Sequence, residues 1–121
     1  MADYHVPDKV MRRAIAIIRE QQQTPTSPAR VLPCGKVALC AAGALAFAAI
    51  EEVKSKKEAR KFARQLCSAS GAKVLDAAFI AFGWGLSFCR EVKIINDDAP
   101  PSEREQVVTS FFESLLIEPC S

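Results

Sequence analysis

The sequence predicts an all-α fold, a single compact bundle of five or six helices around a central alanine-rich helix. Three observations carry that prediction. Apolar residues recur at three- and four-residue spacing along most of the chain. Prolines, glycines and Ser/Asn/Asp clusters fall between those stretches and rarely inside them. The one β-like run, Val92 with Ile94 and Ile95, has no second such run to pair with. The chain has 121 residues, half of them hydrophobic and 25% charged, which is enough to bury a core without metal or disulfide staples. We therefore expect one helical domain over 1–121 with an ordered core at about 7–117.

The elements follow in order. Pro7 suits a first helical turn, and Val10, Met11, Ala14, Ile17 and Ile18 mark one face of a helix ending near Gln23. Residues 24–33 hold three prolines and predict the longest loop. The second helix starts between Cys34 and Cys40 and runs to about Lys54. Seven of the fourteen residues at 37–50 are alanine, and a helix apolar all round belongs at the centre of a fold. Ser55-Lys56-Lys57-Glu58 fits a capping box opening a third helix, which the pattern carries to about Ala69, with Gly71 as its stop. A fourth helix spans 72–82 with Leu75, Ala78, Phe79 and Phe82 inward. Gly83-Trp84-Gly85 breaks it, and a fifth runs from Leu86 or Ser87 to Ile95, with Asn96 suited to a left-handed cap. Ser102-Glu103-Arg104-Glu105 fits a second capping box, and Val107, Phe111, Leu115 with Val108, Phe112, Leu116 give the last helix two apolar rows.

Composition narrows function mainly by exclusion. The uncharged apolar run at 37–50 is shorter than the ~20 residues a membrane-spanning helix needs. The five cysteines, at 34, 40, 67, 89 and 120, show no Cys-x-x-Cys pair, and His5 is the single histidine, so no zinc set is apparent. The chain begins acidic without an apolar stretch, which predicts no secretory signal and free thiols in the cytoplasm. No cofactor is implied. Net charge is +2, but it is divided unevenly, with residues 1–90 basic and 91–121 acidic. The two parts suit each other, either within one molecule or with an outside partner.

Four groups of residues are candidates for chemistry. Lys56, Lys57, Arg60, Lys61 and Arg64 share one arc of the third helix, opposite Ala59, Phe62, Ala63, Leu66 and Cys67. That basic arc suits phosphates or an acidic protein surface. Cys34 and Cys40 lie where the second helix can begin, and a helix N-terminus lowers a thiol pKa, but the only histidine available as a base is His5. Asp97 and Asp98, with Asn96, are oxygen donors for a divalent cation, though the alternating ligands and closing glutamate of a calcium loop are missing. Residues 75–94 have the outline of a helix-turn-helix, yet Phe79 occupies a position that wants a small residue.

Cys40-Ala41-Ala42-Gly43-Ala44-Leu45 and Ile95-Asn96-Asp97 resemble the two motifs of a family of small uncharacterised bacterial and phage proteins. That family has a Cys-x-x-Gly-Ala-Leu segment opening an alanine-rich helix and a later Asn-Asp, often preceded by tryptophan where this chain has Ile95. The resemblance covers about residues 8–117 and implies a helical fold, with no activity to carry over. The function these readings favour is a small non-enzymatic interaction or regulatory protein that binds another protein, or itself, through the basic helix face. The alternatives are a nucleic-acid-binding protein using the same face and a cysteine-dependent enzyme.

Overall fold

The computed structural model describes residues 6–21 and 23–117. Helix α1 (Asp8–Glu20) is followed by a short hairpin, β1 (Ala29–Val31) and β2 (Val37–Leu39), and then by α2 (Ala41–Val53) and α3 (Lys56–Leu66). Three further helices complete the order, α4 (Gly71–Ala81), α5 (Leu86–Asp98) and α6 (Arg104–Ser114). The fold is all-α apart from the hairpin.

The alanine-rich helix is the hub. α2 touches α1, α3, α4 and α5; Ala41, Ala42, Ala44, Leu45 and Ala46 are at most 1% exposed, and Gly43 among them is buried. Small side chains let neighbours approach closely from several sides at once, which larger ones would prevent. Gly43 shows the limit of this. A Cβ there would stand 2.8 Å from the Pro28 carbonyl oxygen, so the loop before β1 packs directly on the helix backbone. A single cluster of buried side chains runs from α1 through α2 to Phe112 on α6. Its aromatic part lies around the break at residue 84. Trp84 is buried, meets Phe79 edge-on at 5.1 Å between ring centroids, and stacks on Phe82 at 4.9 Å. Such ring pairs add to simple area burial.

Several boundaries differ from expectation. The predicted loop at 24–33 closes into the antiparallel hairpin, with Ala29 opposite Leu39, Arg30 opposite Ala38 and Val31 opposite Val37. Three-residue strands are too short to display alternation, so periodicity misses them. Gly71 does not stop α3, which ends at Leu66. It opens α4, where a Cβ would fall 2.1 Å from the Leu66 carbonyl oxygen. Cys67, assigned to the buried arc, is exposed past the helix end. Asn96 is not a left-handed cap; α5 continues through it to Asp98, and no described non-glycine residue has positive φ. The second capping box does not form either. α6 starts at Arg104, one residue late, without a side-chain cap. By contrast, the first box is half made, with Ser55 Oγ accepting from the Glu58 amide at 3.1 Å.

Candidate functional site

The five basic residues of α3 stand together on its outer side. Lys56, Lys57, Arg60, Lys61 and Arg64 are all exposed, while Ala59, Phe62, Ala63 and Leu66 are buried on the opposite side. Among the described residues none of the five forms an ion pair, whereas Lys9, Arg13, Arg19 and Lys93 pair with Glu52, Glu51, Glu113 and Asp76. Among the described residues the acidic C-terminal part does not cover the strip: α6 packs on α1 and α5, and α3 packs on α2, α4 and the hairpin. The two oppositely charged parts do meet within one molecule where α6 packs on α1, through Arg19 and Glu113 at 2.7 Å, but not at this face.

Two members of the strip also border a cleft that sequence reasoning missed. Its volume is about 620 Å³, and it opens between α1, the hairpin and α3. Ile17, Leu39, Phe47 and Ala63 give it an apolar floor, with Arg60, Arg64 and Lys36 among its polar lining. The hairpin creates it, because the β1–β2 turn carries Cys34, Gly35 and Lys36 out beside α1 and α3. Gly35, at φ 89°, makes that turn. Gln21 ties the hairpin to the end of α1 through its side-chain amide. Nε2 donates to the Leu39 carbonyl at 2.6 Å and Oε1 accepts from the Leu39 amide at 2.9 Å. The sequence held one indication, a Pro-Cys-Gly-Lys turn between two short apolar runs, but nothing in it shows which helices those runs would face.

The thiols are placed as follows. Cys34 is exposed on the hairpin turn and does not start a helix. Cys40 does sit at a helix start, as the residue preceding α2, and its Sγ accepts from the Gly43 amide at 3.3 Å. The activation expected there does not follow. Burial pushes the Cys40 thiol up to about 11, outweighing the amide hydrogen bonds that favour the thiolate. Cys89 is buried too, donates to Asp76 Oδ1 at 3.4 Å, and is pushed up to about 12, chiefly by burial. Both are stable protonated thiols at neutral pH. His5, the base that a cysteine enzyme would recruit, lies outside the described residues.

Asp97 and Asp98 are exposed at the end of α5, and among the described residues no group of three or more His, Cys, Asp or Glu is arranged to hold a metal. Their neighbour Asn96 has a different task. It is fully buried, its Oδ1 accepts from the Ala41 amide at 2.9 Å, and its Nδ2 donates to the Pro25 carbonyl at 3.0 Å. The Asn-Asp segment and the Cys-x-x-Gly-Ala-Leu segment thus meet at the N-terminus of α2. Among the described residues no helix is long and apolar enough to cross a membrane. No family model matches the chain, and no curated protein or solved structure does so either.

Proposed function

We propose that the chain is a small non-enzymatic interaction protein that binds an acidic surface of another protein through the outer face of α3. The observation that carries this reading is the strip of five exposed cations that form no ion pair among the described residues, set on a helix whose inner side is locked into the core. A rigid, one-sided charge array speeds and orients encounter with a complementary surface. Burial of Cys40 and Cys89 supports a binding role over thiol catalysis. We further propose a reducing, cytoplasmic setting, and kinship with the small bacterial and phage proteins that share the two motifs.

The test is affinity capture from nuclease-treated host extract, comparing wild type with Arg60→Glu/Arg64→Glu and Lys57→Glu/Lys61→Glu. The expected result is a defined protein, or a second copy of the chain, retained by wild type and lost with both variants. Retention of a polynucleotide in untreated extract, falling steeply with added salt, would replace this reading with nucleic-acid binding.

A further inference from the structure

We infer that the cleft between α1, the hairpin and α3 binds a small amphipathic anion, a carboxylate carried on a short acyl chain. This goes beyond the partner reading, which needs only the exposed strip and leaves the cleft empty.

Several lining residues are already engaged within the fold. Arg13 is committed to Glu51, with Nε–Oε1 at 2.7 Å and Nη2–Oε2 at 3.3 Å. Gln21 spends both ends of its amide on Leu39. Neither has its full polar capacity left for a ligand. The apolar part of the lining comes from Val37 and Phe47, which are half-buried, with Ile17, Leu39 and Ala63 packed close behind them. A guest seated there exchanges water for apolar contact along its body and finds few open polar partners. An apolar body makes use of Val37 and Phe47.

The mouth demands the opposite. Arg60 and Arg64 lie four residues apart, so both project from one side of α3. Lys36 joins them from the hairpin turn, and none of the three is ion-paired among the described residues. Glu20 is the one carboxylate among the described lining residues, and its charge acts on Arg13. Three cations without ion pairs around one opening select an anionic head group, and guanidinium forks match a carboxylate in two parallel hydrogen bonds. The volume of about 620 Å³ falls within the range of roughly 300–1,000 Å³ typical of small-ligand sites. A nucleic-acid duplex does not fit such a cleft.

Sodium octanoate is the probe, titrated into the ¹⁵N-labelled full chain by NMR and by calorimetry, with n-octanol as the uncharged match. Saturable one-to-one shifts centred on Ile17, Val37, Phe47 and Ala63 are expected, with octanol weaker by roughly tenfold or more. Arg60→Gln/Arg64→Gln should weaken octanoate by a similar factor, whereas Lys56→Gln/Lys57→Gln, on the same helix away from the cleft, should not. These four side chains are exposed, so the variants should keep the native spectrum elsewhere. Absence of saturable shifts at millimolar octanoate, equal affinity for octanol, or unchanged affinity in the double arginine variant overturns the inference. Capture of a protein partner by the Lys57/Lys61 face is a separate readout, so either proposal can fail alone.

Discussion

At the scale of single residues, polar groups that the sequence places at helix ends act instead as internal ties. Asn96 joins α5 to the first turn of α2 and to the loop at Pro25. Truncating it to alanine strands a buried amide and a carbonyl, each costing about 1–3 kcal/mol, so Asn96→Ala should lose at least about 2 kcal/mol in urea unfolding. Arg104 works in the same region. Its guanidinium donates to the carbonyls of Asn96 at 2.8 Å, Thr24 at 2.9 Å and Ala99 at 3.1 Å. Lysine offers no planar fork, so Arg104→Lys should destabilise nearly as much as Arg104→Met, by about 2 kcal/mol in the same assay. The thiols give a chemical check on burial. Iodoacetamide at neutral pH should modify Cys34 and Cys67 in the folded protein and reach Cys40 and Cys89 only after denaturation, as read by mass spectrometry.

At the scale of elements, propensity and packing pull in opposite directions along α2. Replacing Gly43 by alanine would gain about 1 kcal/mol of helix propensity in an isolated helix. Here the new Cβ meets the Pro28 oxygen at 2.8 Å, and that oxygen also accepts from the Cys40 amide at 3.2 Å. The carbonyl has no freedom to retreat without losing that bond, so Gly43→Ala should lower the thermal midpoint. The start of α3 is a simpler case. Ser55→Ala removes only the exposed cap to Glu58 and should cost about 1 kcal/mol. The hairpin, small as it is, determines the cleft, because its turn supplies one wall.

At the scale of the molecule, charge is divided between pairs that bind elements together and a strip left open to solvent. The Lys93–Asp76 pair ties α5 to α4 at 2.9 Å. Burial pulls the Asp76 carboxyl upward, but the Lys93 ammonium outweighs it and holds the group below its ordinary value. A depressed carboxyl stabilises the fold above its unfolded pKa and loses that contribution as pH falls through its folded value. Burial pulls Lys93 downward, and Asp76 outweighs it in turn, raising the ammonium. Its contribution is present below the unfolded lysine pKa and lost as pH rises through the folded one. The pair thus acts from mildly acidic to moderately alkaline pH. Both side chains are partly exposed, so Asp76→Asn should flatten the acid limb of a stability–pH curve by less than about 1 kcal/mol.

The helical class, most of the inward faces, the capped start of α3 and the one-sided charge of that helix are legible in the amino-acid order, although Val107 and Cys67, placed on inward faces, are exposed. All of these rest on interactions between residues three or four apart, which periodicity displays directly. Tertiary structure alone decided the rest. Whether Asn96 terminates a helix or bridges two depends on an amide 55 positions away, and whether Gly71 ends or begins a helix depends on how closely Leu66 passes it. Cys40 combines a helix-start position, which favours a thiolate, with full burial, which opposes it, and only the surrounding packing determines the outcome. The cleft is the furthest from sequence of all, since its floor and rim come from α1, the hairpin, α2 and α3. A concave surface is a relation between elements, and no local pattern encodes it.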